Sequence, residues 1–140
     1  MHVLESFSLK GKVALVTGGA GLYGRQIVEA LAEAGAKTFL AARSLDKLEA
    51  VAAEERARGH DVTALHLDLS SDESIEALHK TIIERAGRCD VLVNNAFAAV
   101  GEIFDNVGKA FWTLDPVRQW DAINGVGLRN HYLCTVFASR

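Results

Sequence analysis

The sequence predicts an α/β fold built on a doubly wound parallel sheet, cut off after about four strands. Three observations predict it. A short apolar β-prone run, Val13–Val16, ends at Thr17 and breaks into a glycine turn. Similar runs then alternate with segments of helical period, and glycines or capping residues stand at most of the joints.

After the first strand come Gly18, Gly19, Ala20, Gly21, Leu22, Tyr23 and Gly24. A helix is predicted over Arg25–Ala34, with Ile27, Val28, Leu31 and Ala32 at helical spacing and Gly35 as its left-handed stop. Lys37–Ala42 is the second strand, ending at Arg43 and Ser44, where Ser44 can cap the next helix. That helix, Leu45–Arg58, puts Leu45, Leu48, Val51 and Ala52 on one stripe and Lys47, Glu49, Glu54, Arg56 and Arg58 on the wet side, and Gly59 ends it. Asp61–Leu67 is the third strand, closed by Asp68. Ser70 and Glu73 have the spacing of a capping box for a helix over Asp72–Ala86, which carries Ile75, Leu78, Ile82 and Ile83 and stops at Gly87. Asp90–Asn95 is the fourth strand, and its apolar middle predicts burial on both faces.

Residues Ala96–Leu114 lose periodicity at Gly101, Asn106 and Gly108 and read as a substrate-side loop. Asp115 and Pro116 then start a last helix, as N-cap and first-turn proline, that runs to about Ser139 and carries Trp120, Ile123, Leu133, Val136 and Phe137. Strands and helices in this order imply right-handed βαβ crossovers with helices on both faces of the sheet. Residues 1–140 read as one domain, without repeats or a linker.

Composition narrows the function. The 140 residues are 49% hydrophobic and 24% charged, as in soluble globular domains. A formal net charge of −3 with no basic cluster argues against nucleic acid and anionic membranes as partners. No signal-like segment or run of about 18 apolar residues is present, so no membrane partner is expected. Cys89 and Cys134 stand far apart, and His2, His60, His66, His79 and His131 form no metal-binding spacing, so no metal or disulfide is expected. Two free thiols suit a reducing, cytoplasmic setting. Neither cysteine has an activating neighbour, and His66 and His131 read as packed or surface residues.

The glycine turn carries the chemistry. Gly19, Gly21 and Gly24 satisfy G-x-G-x-x-G between a strand and a helix, where the backbone can approach a pyrophosphate and the helix N-terminus offers N–H groups. Thr17, Gly18, Gly19, Gly21, Leu22, Tyr23 and Gly24 are therefore candidate cofactor-binding residues of a Rossmann-like domain. About twenty positions on, where a carboxylate would bond the ribose of NAD, Phe39–Ser44 offers none and ends with Arg43. A guanidinium there suits a 2′-phosphate, so NADP(H) is favoured over NAD(H); the alternative is a solvated arginine at a turn. Asp68, with Leu69 beside it, stands at the carboxyl end of a parallel strand, where open sheets bind ligands, or is a turn residue before a cap. Of Asn94, Asn95 and Ala96, the first and last are expected near the cofactor and Asn95 to be chiefly structural. Asn124 is a polar residue among apolar ones in a predicted helix, where Asn is mildly unfavourable, and otherwise reads as an exposed helix asparagine.

TGGAGLYG at Thr17–Gly24, Asp68, NNA at Asn94–Ala96 and Asn124 together resemble the short-chain dehydrogenase/reductase family over essentially the whole chain. The resemblance implies hydride transfer between a nicotinamide and a small-molecule carbonyl or alcohol. It also implies contact of Asp68 with the adenine amino group, and a catalytic Asn124 acting with Ser, Tyr and Lys through a held water. The full-length protein would be a homo-oligomer. KAFW at Lys109–Trp112 and the pattern W-D-x-I-N-x-V-G-L-R-x-H-Y-x-C over Trp120–Cys134 resemble NADPH-dependent carbonyl and steroid reductases within the family. The turn departs from most single-domain members, because the middle glycine falls at 21 and position 22 is Leu22. That spacing belongs to longer, epimerase-like members acting on nucleotide sugars, a subclass that the NNA motif argues against.

The Tyr-x-x-x-Lys that this chemistry needs is not among these residues: Ile27 lies four after Tyr23, and Val136 four after Tyr132. The tetrad's Ser, Tyr and Lys are expected downstream of Arg140. The chain then reads as the amino-terminal half of a reductase, incomplete at its C-terminus, inactive alone, with Val91–Val93 on an unpaired edge. The rival reading is a non-catalytic nucleotide-binding or interaction module, in which the fold survives without the chemistry.

Overall fold

The computed structural model describes residues 3–140; of the histidines considered for metal binding, His2 lies outside them. A 3₁₀ turn, Val3–Phe7, leads into four strands: β1 (Val13–Thr17), β2 (Lys37–Ala42), β3 (Val62–His66) and β4 (Val91–Val93). They form one parallel sheet in the order β3-β2-β1-β4, with Leu15 opposite both Phe39 and Leu92, and Leu40 opposite Ala64. Helices α1 (Leu22–Glu33), α2 (Leu45–Ala57) and α3 (Asp72–Ala86) follow the first three strands. After β4 come α4 (Val100–Asp105), a 3₁₀ turn (Phe111–Thr113), α5 (Pro116–Asn124), a π-helical turn (Gly125–Arg129) and α6 (Asn130–Ala138).

Strand parity sorts the core into two layers. Leu15, Phe39, Ala41 and Leu65 face Ile75, Leu78 and Ile82 of α3 and Cys134 of α6. Val16, Leu40 and Val62 face Val28 and Ala32 of α1 and Leu48, Val51 and Ala52 of α2. Adjacent residues of one strand thus enter opposite layers, which is the doubly wound arrangement. Each large side chain fully buried here, such as Leu15, Leu40 or Phe39, removes enough apolar surface from water to contribute about 1.5–3 kcal/mol.

Several boundaries differ from expectation. The first helix starts at Leu22, with extended Gly21 as its N-cap, so Leu22 and Tyr23 belong to its first turn. Ser44 is the N-cap residue of α2 without a side-chain cap bond. The cap of α3 is Ser71, whose Oγ accepts from Ser74 N–H (3.1 Å) and donates to Glu73 (2.9 Å), while Ser70 turns back to Asp68. Asp115 caps α5 as expected, accepting from the N–H groups of Val117 and Arg118 at 3.0 Å each. Strand β4 is only three residues long and half-buried throughout, because its outer edge has no neighbour among the described residues. The single long final helix is interrupted by the π turn, which leaves Asn124 at the end of α5 instead of mid-helix.

Candidate functional site

A cleft of about 690 Å³ runs along the carboxyl ends of the four strands. Its floor is the turn after β1. Gly18 N–H donates to Ala41 O (2.7 Å) and Gly18 O accepts from Gly21 N–H (3.0 Å), which folds the chain back on itself. The glycine identities follow from space. A Cβ on Gly19 would stand 2.5 Å from Leu40 Cβ, and one on Gly24 would stand 2.1 Å from Gly18 O, so side chains there would drive the turn off β2 and the helix off the turn. Helix α1 opens with no side-chain cap, unlike α3 and α5. Its first-turn residues Leu22, Tyr23 and Gly24 line the cleft, and a helix leaves such N–H groups without intrahelical partners. This arrangement fits an anion at the turn.

The polar side chains at the strand ends divide into those that build the turn and those that face the cleft. Thr17 is fully buried; its Oγ1 accepts from the N–H groups of Asn95 (3.1 Å) and Ala96 (3.2 Å). Asn95 Nδ2 donates to the carbonyls of Thr17 (3.1 Å) and Gly18 (3.3 Å), stitching the end of β4 to the glycine turn. Asn95 and Ala96 both line the cleft. Asn94 is turned the other way, its Nδ2 donating to His131 O (3.3 Å) and Thr135 Oγ1 (3.1 Å) of α6. The two asparagines thus lie on opposite sides: Asn95 has the structural role expected of it and also lines the cleft, whereas Asn94, expected near the cofactor, is bonded to α6.

At the other end, Arg43 leaves β2 exposed to solvent, and Asp68 follows β3. They are the one basic and the one acidic side chain lining the cleft among the described residues. Asp68 accepts from Ser70 N–H (2.9 Å) and Ser70 Oγ (2.6 Å), while its own N–H donates to Ser74 Oγ (2.9 Å). The two bonds from Ser70, with Arg43 and His66 nearby and against the cost of desolvation, hold the carboxyl below the usual aspartate range. Asp68 is ionised at neutral pH. Leu69 beside it also lines the cleft.

Thr17 and Gly19 therefore support the site from beneath, whereas Gly18, Gly21, Leu22, Tyr23, Gly24, Arg43, Asp68, Leu69, Asn95 and Ala96 line it. Asn124 stands apart from the lining, its Nδ2 donating to Trp120 O (3.0 Å), although Val126 two residues on reaches the cleft. Sequence reading missed the apolar end, formed by Phe97, Val100, Phe104 and Val126. The signal was there as large apolar residues in a stretch without periodicity. Among the described residues no group of three or more His, Cys, Asp or Glu is gathered for a metal, and no helix is long and apolar enough to cross a membrane.

This geometry agrees with comparison to known proteins. A family profile described as short chain dehydrogenase matches residues 12–136. The chain belongs to the short-chain dehydrogenase/reductase family. It is 41% identical over 133 residues to dehydrogenase/reductase SDR family member 1 of Mus musculus and of Homo sapiens, covering 94% of this chain and 42% of each relative. A metagenomic short-chain oxidoreductase solved in complex with NADP superposes with a TM-score of 0.78 at 35% identity, over 93% of this chain and 56% of that one. The Pseudomonas aeruginosa RhlG/NADP active-site complex gives 0.83 at 33% identity, over 99% and 50%. The chain thus spans about half the length of the family members it matches, or somewhat less. The family is one of oxidoreductases that bind a nicotinamide cofactor and act on small molecules.

Proposed function

We propose that this chain is the cofactor-binding part of an NADP(H)-dependent reductase that transfers hydride between the nicotinamide and a carbonyl or alcohol substrate. The observation that carries the reading is the pairing, in one cleft, of an uncapped helix N-terminus over a glycine turn with an exposed Arg43 at the end of β2 and no carboxylate beside it on that strand. Sheet order sets the layout. With strands in the order β3-β2-β1-β4, the adenosine half would lie over the ends of β3 and β2, the pyrophosphate over β1 and the nicotinamide half over β4.

In this reading Arg43 donates to the 2′-phosphate, Asp68 accepts from the adenine amino group, and the first turn of α1 receives the pyrophosphate. When bound, the dinucleotide supplies the hydride. Asn95 and Thr17 hold the turn and the β4 end at a fixed separation, and Phe97, Val100 and Phe104 form an apolar wall at the end of the cleft beyond β4. Asn124 would take its place beside Ser, Tyr and Lys in the full-length protein, a homo-oligomer of the cytoplasm, and the 140 residues alone would turn over no carbonyl. NADP complexes among the similar structures, those of the metagenomic oxidoreductase and RhlG included, support the cofactor assignment.

Replacing Arg43→Asp tests it. A charge-assisted hydrogen bond contributes about 1.5–3 kcal/mol, so NADPH affinity should fall roughly tenfold to a hundredfold with a far smaller change for NADH. Equal losses for the two would defeat the assignment.

A further inference from the structure

Resting on that cofactor reading, we propose that Asn130 and His131, at the start of α6, are positioning residues that fix the separation between the two ends of the cleft. They are adjacent in sequence, and each sends a side-chain N–H to the carbonyl of a cleft-lining residue. Asn130 is buried and its Nδ2 donates to Leu69 O, on the β3 side. His131 is half-buried, and its Nε2 lies 2.8 Å from Ala96 O, on the β4 side. Because a carbonyl only accepts, the imidazole carries its proton on Nε2.

Ala96 is held from both directions, its N–H by Thr17 Oγ1 at 3.2 Å and its C=O by His131. Asn94 reinforces the contact by donating to His131 O and to Thr135 Oγ1. On the other side, Arg129 pairs with Asp72 at 2.6 and 2.8 Å, anchoring the start of α6 to the first turn of α3. The loops after β3 and β4 sit at opposite edges of the sheet, with β2 and β1 between them. One rigid helix turn bridging both carbonyls converts the sheet's edges into a cleft of set span. The Ala96 carbonyl borders the nicotinamide half, whereas Arg43 and Asp68 serve the adenosine half, so loss of the His131 bond acts on one half of the ligand.

The test compares NADPH with adenosine 2′,5′-bisphosphate, which lacks the nicotinamide half, on the wild-type chain, H131L and H131Q. Loss of one hydrogen bond that orients a binding loop is expected to weaken NADPH about tenfold in H131L, with the bisphosphate unchanged. H131Q keeps an N–H at similar reach and should restore NADPH affinity. If H131L does not fold, H131E, nearly isosteric with Gln but without the donor, takes its place against H131Q. Wild-type NADPH affinity in H131L or H131E, equal weakening of both ligands, or failure of Gln to restore would overturn the positioning role. A wild-type chain that binds neither ligand would instead overturn the cofactor reading on which it rests.

Discussion

Gly24→Ala probes the close approach on which the phosphate turn depends. The added methyl would lie 2.1 Å from Gly18 O and 2.9 Å from Asn95 Nδ2. Neither atom can give way alone, because Asn95 Nδ2 is itself bonded to Gly18 O at 3.3 Å and to Thr17 O at 3.1 Å. Relief requires the start of α1 to retreat by roughly 1 Å, which close-packed surroundings resist at about 1–3 kcal/mol. The helix gains up to about 1 kcal/mol from Ala over Gly, too little to offset the upper half of that range. The same retreat pulls the first-turn N–H groups away from the cleft. Gly21→Ala is the control for stability, since its methyl meets Gly18 O at 3.2 Å, which a shift of a few tenths of an ångström relieves, and its backbone (φ −74°, ψ 170°) is open to any residue. Urea unfolding followed by circular dichroism, with NADPH titration of the same samples, should show G24A destabilised by about 1–2 kcal/mol and strongly weakened in binding, and G21A close to wild type in stability, with any loss of its NADPH affinity reporting the methyl in the cleft and not a shifted helix. G24A with wild-type stability and affinity would refute the steric reasoning.

Two further outcomes follow from buried and paired groups. Asp90 accepts from Val13 N–H at 2.9 Å and is paired by Arg88 and Lys12, which together hold its carboxyl below the ordinary value of 3.8 against the cost of desolvation. A depressed pKa in the fold adds stability above the unfolded value that is lost as pH falls through the folded one. Unfolding curves from pH 7 to pH 3 should therefore show the wild type losing stability on acidification and D90N lower at neutrality with a flatter acid limb; parallel curves would contradict this. Burial pushes the Cys134 thiol up to about 11 and raises that of half-buried Cys89 less. Thiol labelling of the native chain at pH 8 should modify Cys89 first and Cys134 only on unfolding, and early modification of Cys134 would show that α6 does not pack as described.

The fold was legible where local chemistry is unambiguous. The bounds of α3 follow from its apolar stripe and from Gly87, which adopts the left-handed conformation (φ +73°) that stops a helix. Asp115 and Pro116 marked the start of α5 for the same kind of local reason. What the sequence hid depends on three-dimensional context. Ser70 and Ser71 are equally good caps on paper, and the choice falls to Ser71 because Asp68 takes Ser70. Glu55 and His79 belong to residue types expected in water, yet both are buried, Glu55 against Arg58 and His60 and His79 stacked on Phe137. The π turn carries no breaker beyond Gly125 and Gly127, and the ring of Phe97 packs against Gly127. Which asparagine lines the cleft was decided beyond β4, where Asn95 bonds to Thr17 and Gly18 while Asn94 bonds to α6. The glycine turn, Arg43 and Asp68 were readable because each sits at a strand end, where parallel sheets gather ligands.

The most direct test of the central claim is to titrate isotope-labelled chain with NADPH and follow the backbone amide resonances. Binding in the cleft should shift the amides of Gly18, Gly21–Gly24, Arg43, Asp68, Asn95 and Ala96, and leave unmoved those of Ala77, Thr81 and Arg85 around the second, 290 Å³ hollow beside α3. An unperturbed spectrum at millimolar NADPH, or shifts gathered at that hollow, would contradict the claim that the carboxyl ends of the strands form the NADP(H) site.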